Sequence, residues 1–173
     1  YNIFQAICER GDEVIIPAPY WLSYPAMVSM AEASSVFIET SSANGFKATE
    51  KDISSKITSR TKCLVLNSPS NPTGSVYGTD ELEMIAKLAV KHKFFIISDE
   101  IYEKLIYDNK KHVSIASFGK DIYDWTITVN GTVYKHPIIT LAGWIPAVYS
   151  SSRKKNWIAG KDQTAFCLNL CRA

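Results

Sequence analysis

Five side chains stand out for what they could do together: Trp21 in PAPYWLSYP, Asn71 in SPSNPTG, Asp99 and Tyr102 in SDEIYEKLIYD, and Lys135 in TVYKHP. An indole offers a flat apolar face, an amide and a phenol offer hydrogen bonds, a carboxylate favours a cation beside it, and a lysine can act as nucleophile or base. Other chemistries lack their parts. Cys8, Cys63, Cys167 and Cys171 form no C-x2-C pairs with matching histidines, so zinc is unsupported and no metal site is expected. His92, His112 and His136 share no spacing that would make a triad; His92 reads as a helix-end cation and the other two as surface residues. FFIISDE could end a strand in a magnesium-binding pair, as in a nucleotide hydrolase, but the chain has no G-x-x-x-x-G-K-[ST]. It has no G-x-G-x-x-G for a dinucleotide either.

The elements that must position these residues follow from apolar runs and turn formers. EVIIP (13–17), SVFIE (35–39), CLVLN (63–67), FFIIS (94–98) and WTITV (125–129) read as strands. Helices are expected over 2–9, ended by Gly11, and over 22–32. A third opens at Thr49 with Asp52 as its capping-box partner, and Asn44-Gly45 makes a turn before it. The clearest helix starts at Thr79 as cap, carries Leu82, Ile85, Ala86 and Ala89 as its buried stripe, and ends in Lys91, His92 and Lys93. Strands alternating with helices, each strand a continuous apolar run, predict an α/β fold with a mostly parallel sheet sandwiched by helices. In such a sheet the ligand lies beyond the carboxyl ends of the strands, where Trp21, Asn71, Asp99 and later Lys135 stand.

Composition agrees with a globular domain. Apolar residues make up 46% and charged residues 21%, which argues against disorder. Nineteen Lys+Arg against seventeen Asp+Glu gives no electrostatic reason to expect nucleic acid or an anionic membrane as partner. No apolar run approaches the ~20 residues that cross a bilayer. The N-terminal YNIFQAICERGDE lacks the pattern of a secretory signal, and four scattered thiols point to a reducing, cytoplasmic compartment.

GDEVIIPAPYW, NSPSNPTG and SDEIYEKLIYD, in that order with strands between them, resemble class I pyridoxal-phosphate-dependent aminotransferases, aspartate aminotransferase-like ones above all. The resemblance runs from about Tyr1 to Gly131. It implies a partial large domain of that fold, pyridoxal 5'-phosphate as cofactor, and an amino acid and a 2-oxo acid as substrates in a homodimer. It also implies the roles: Asp99 keeps the cofactor's ring nitrogen protonated, Trp21 stacks on the ring, and Asn71 and Tyr102 reach its phenolic oxygen. Each residue has a plainer reading as well: a strand-end cap for Asp99, core packing for Trp21 and Tyr102, turn chemistry for Asn71. Tyr20 receives no role.

Past Val129-Asn130-Gly131 the chain departs from the family it resembles, which follows that strand end with Ser-Lys and then Gly-Trp-Arg. Here the text is TVYKHPIITLAGWIPAVY. Lys135, the expected catalytic lysine, comes one residue late; Val133 or Tyr134 replaces the serine, and Ile145 stands where arginine is expected. Losing that serine and arginine would remove phosphate contacts worth roughly 1.5–3 kcal/mol each, with Arg153 a displaced substitute. KDQTAFCLNL resembles the family again. The expected organisation is thus 1–149 as part of the cofactor-binding large domain and 150–173 as a degenerate helical continuation. The small domain and the glycine-rich phosphate loop are expected to lie outside these residues. The competing expectation is a non-catalytic truncated fragment that binds cofactor without turning over.

Overall fold

A computed structural model describes residues 1–108 and 110–131, together with the backbone of residues 146–150. Six strands form one sheet in the order β2-β1-β3-β4-β5-β6: β1 Glu13–Ala18, β2 Ser34–Glu39, β3 Thr61–Asn67, β4 Phe95–Asp99, β5 Thr126–Gly131 and β6 Pro146–Ser150. The first five are parallel, and β6 pairs antiparallel with β5. The helices are α1 Asn2–Ile7, α2 Ser23–Met30, α3 Glu50–Ser54, α4 Thr79–His92 and α5 Lys120–Tyr123.

The continuous apolar runs have a simple cause: both faces of the sheet are covered, so both side-chain directions of each strand are buried. On one face Ile15, Leu64, Leu66 and Ile96 pack with Leu82, Ile85, Ala86 and Ala89 of α4 and with Phe94. On the other, Val14, Ile16, Cys63, Val65, Ile97 and Ile127 pack with Phe4 and Ile7 of α1 and with Tyr24 and Val28 of α2. Alternate residues of β3 thus serve opposite cores.

Local structure differs from the sequence reading in a few places. The helix expected over 2–9 stops at Ile7, the one over 22–32 spans Ser23–Met30, and the one opened by Thr49 ends at Ser54, with its Thr49–Asp52 capping box formed. At α4 the cap is Gly78 rather than Thr79. The Glu81 carboxylate reaches back to accept from the Gly78 N–H at 2.7 Å and also binds Lys47 Nζ, so two partners fix it there. β4 includes Asp99 as its last residue, and β6 has no counterpart among the expected strands. His112 is not a surface residue. Its Nε2 lies 2.9 Å from Oε2 of Glu100, whose buried carboxylate also accepts from Ser98 Oγ at 2.9 Å and Ser114 Oγ at 2.7 Å. A buried carboxylate requires such partners, and His112 is drawn in to supply one.

Two measurements test this account. Leu64→Ala, at a side chain with no exposure, is expected to cost about 2–5 kcal/mol in chemical denaturation. Leu22→Ala, at one 85% exposed, should cost within about 0.5 kcal/mol. Glu13 is held below the ordinary carboxylate range, first by the Thr58 hydroxyl at 2.5 Å and then by Arg60, with burial opposing. Its stabilisation is therefore present above the unfolded-state value and lost as pH falls through the folded one. Acid titrations of stability should be shallower in Glu13→Gln than in the parent.

Candidate active site

In a sheet ordered 2-1-3-4-5 the connections diverge between β1 and β3, and a cleft opens there beyond the carboxyl ends of the strands. Pro19, Tyr20, Tyr24, Phe46, Asn67, Ser70 and Asn71 line it. A more open depression on α3 and α4, lined by Glu50, Asp80, Lys87 and Lys91 among others, includes no strand-end residue.

Asp99 closes β4, opposite Asn67 at the end of β3. One carboxylate oxygen, Oδ2, accepts from the Tyr24 hydroxyl at 2.5 Å, and Oδ1 accepts from the Ile101 N–H at 3.2 Å. Burial pushes the Asp99 carboxyl up, the Tyr24 and Ile101 donors pull it down, and neighbouring Glu100 pushes it up again; the net direction is upward. Tyr24 is itself driven strongly upward, by burial first and then by the charge of Asp99. It therefore stays a phenol and remains a donor. The Tyr24 ring also meets Trp21 edge-on, with centroids 5.4 Å apart and planes at 89°, so one α2 side chain touches both neighbours. Trp21 keeps 38% of its surface exposed, so it is not a core tryptophan.

Asn71 lies in the loop after β3, and its N–H donates to Asn67 Oδ1 at 2.7 Å. The side-chain amide of Asn71 makes no hydrogen bond to another described residue. Tyr102 sits in the turn after β4, three residues beyond Asp99. Trp21, Asn71 and Asp99 are thus gathered around one strand-end region, linked through Tyr24 and Asn67, with Tyr102 in the turn that follows Asp99. Lys135, with Arg153, Trp144, Ile145 and His136, lies outside the described residues. Tyr20 stacks on Phe37 at 5.1 Å and is a packing residue at the cleft wall.

Sequence reasoning missed Tyr24 and Asn67. Asn67 carried a usable signal, since it ends an apolar strand just as Asp99 does. Tyr24 carried less, because nothing local announces a partner 75 residues away. A second cluster, Glu100, Glu103 and His112, brings its ligating atoms within 4.8 Å of one another, but both oxygens of Glu100 already face protein partners.

Comparison with known proteins gives this geometry a context. A model of the family described as "Aminotransferase class I and II" matches residues 1–133. The chain belongs to that family. It is 46% identical over 144 residues to an aspartate aminotransferase of Bacillus sp. (strain YM-2), covering 83% of this chain and 36% of the relative. An aspartate/prephenate aminotransferase of Thermus thermophilus is 45% identical over the same coverage. The chain therefore spans about a third of the length of these curated relatives. Among solved structures, aspartate aminotransferase from Thermus thermophilus with maleate superposes at a TM-score of 0.71 with 49% identity, over 75% of this chain and 33% of that one. The aspartate aminotransferase from Rhizobium meliloti gives 0.74 with 35% identity, over 76% and 33%.

Aspartate aminotransferases of this family depend on pyridoxal phosphate. The donor set here fits that group. A carboxylate has about four acceptor directions, and the two protein donors on Asp99 leave room for a protonated ring nitrogen. The Asn71 amide and the partly exposed Trp21 indole supply a hydrogen-bond donor and an aromatic plate nearby. Tyr24→Phe tests the electrostatics directly: the Asp99 carboxyl, followed by carbon NMR in the cofactor-free chain, should titrate higher than in the parent. Stability should fall by about 1–3 kcal/mol at neutral pH, where the carboxylate loses a donor.

Proposed function

We propose that this chain forms the cofactor-ring side of an aminotransferase that moves an amino group between an aspartate-like amino acid and a 2-oxo acid. The observation that carries the reading is the Asp99 carboxylate at the end of β4, desolvated yet held by Tyr24 and Ile101. Bound pyridoxal phosphate supplies an electron sink for the charge that develops at the substrate α-carbon. Asp99 holds a proton on the ring nitrogen, which a nearby carboxylate favours. Trp21 covers one ring face, and Asn71 and Tyr102 donate to the phenolic oxygen. Lys135 would supply the amine that holds the cofactor and the base that carries the substrate α-proton. The aspartate-like substrate rests on the printed names of the relatives.

The same reading includes a homodimer working in the cytoplasm in amino-acid metabolism. It is supported by the family resemblance. Among the described residues no helix is long and apolar enough to cross a membrane.

The test is an absorbance titration of the 173-residue chain with pyridoxal phosphate, followed by borohydride trapping and peptide mapping. A trapped adduct at Lys135 is the expected result, and an adduct spread over surface lysines would contradict the assignment. Binding without a Lys135 adduct would favour the cofactor-binding, non-catalytic fragment. Asp99→Ala should weaken binding by roughly 10- to 100-fold, the equivalent of a charge-assisted hydrogen bond of about 1.5–3 kcal/mol.

A further inference from the structure

Beyond their ends, two adjacent parallel strands have no ladder to hold the loops that leave them. β3 and β4 end level, with Asn67 opposite Asp99. From there one chain runs into Ser68–Pro69–Ser70–Asn71 and the other into the turn containing Ile101 and Tyr102. The loop after β3 is closed on itself. Ser70 N–H donates to Ser75 O at 2.9 Å, Gly74 N–H to Ser70 O at 2.9 Å, and Thr73 Oγ1 to Ser75 Oγ at 2.9 Å. A unit tied internally in this way can shift as a body unless something fixes it to the sheet.

Ser75 Oγ holds the far end of the loop to the Gly45 carbonyl at 2.5 Å, and Asn67 attaches its near end to the sheet edge from one planar amide. Its Nδ2 donates to the Asp99 carbonyl at 3.0 Å, and its Oδ1 accepts from the Asn71 N–H at 2.7 Å. The Ser68 N–H reaches the same Asp99 carbonyl at 3.2 Å. The amide's orientation is fixed by chemistry, since the reverse would set donor against donor and acceptor against acceptor. An aspartate in its ionised form would face the Asp99 carbonyl with a second acceptor, and a shorter hydroxyl could not span both partners.

We infer that Asn67 is a positioning residue that sets the separation of Asn71 and Asp99 across the cleft, and so the fit of a ring held between them. The inference rests on reading this cleft as the pyridoxal phosphate pocket. What Asn67 itself does, however, can be measured without cofactor.

The experiment uses the full chain with Asn67→Ala and Asn67→Asp. In the cofactor-free protein, Asn67→Ala should speed hydrogen exchange of the Asn71 amide at least about 10-fold while leaving the Val65 and Ile97 amides unchanged. With pyridoxal phosphate, binding should weaken about 10-fold, and the pH midpoint of the bound chromophore should move. Asn67→Asp should approach the parent at pH values where the new carboxyl is protonated and can both donate and accept. Where it is ionised it keeps the acceptor for the Asn71 N–H but loses the donor to the Asp99 carbonyl, so Asn71 exchange should fall between the parent and Asn67→Ala. Unchanged Asn71 exchange, or faster exchange spread through the core strands, would overturn the positioning role. Faster Asn71 exchange with an unmoved chromophore midpoint would overturn its link to the ring. If the parent chain binds no pyridoxal phosphate, the functional reading fails, while the exchange result still decides whether Asn67 holds the loop.

Discussion

A carboxylate withdrawn from water at the end of a parallel strand keeps its charge only where donors replace the lost hydration. Asp99 meets that condition through Tyr24 and Ile101, and much of the surrounding architecture serves those two contacts. α2 is packed against the sheet by Val28 and by Tyr24 itself, which brings the phenol to the strand end. The turn after β4 aims the Ile101 N–H back at the other oxygen. The opposing effects leave the carboxyl shifted upward, so its ionisation is sensitive to each partner. A cation placed beside such a carboxylate favours its charged form.

Burial of the sheet on both faces makes the site rigid where it needs to be. β3 and β4 are fixed by opposing cores, so Asn67 and Asp99 enter the cleft from a framework that cannot slide by one residue without turning both cores inside out. Rigidity ends with the strands. Past them, position depends on a few polar contacts: Tyr24 and Ile101 to Asp99, Asn67 to Asn71, and Glu100 to His112 and two serines.

This division also explains what was legible in the sequence. The parallel α/β fold and the burial of α4 could be read because apolar runs and an i, i+3, i+4 stripe are local patterns. Asp99 and Asn71 are visible as a polar residue ending an apolar run and one standing among turn formers, but their roles at a cofactor are implied only by the family resemblance of SDEIYEKLIYD and NSPSNPTG. Tyr24 could not be assigned, since its meaning lies in a partner 75 residues distant; Asn67 was visible as a strand end, but not its contact with the Asp99 carbonyl 32 residues away. His112 was misplaced for the same reason, because only the buried Glu100 calls it inward. At α4 the eye falls on Thr79, whereas the glutamate that satisfies the Gly78 N–H is tied down by Lys47, an element away. β6 departs from the strand–helix alternation that revealed its neighbours, so the antiparallel edge had no such marker.

The central claim is that Asp99 faces a protonated ring nitrogen. Nitrogen NMR of ring-labelled pyridoxal phosphate bound to the 173-residue chain measures that proton directly. The account predicts a protonated ring nitrogen at neutral pH that becomes unprotonated in Asp99→Ala. An unprotonated nitrogen in the parent chain, or a signal indifferent to Asp99, would contradict it.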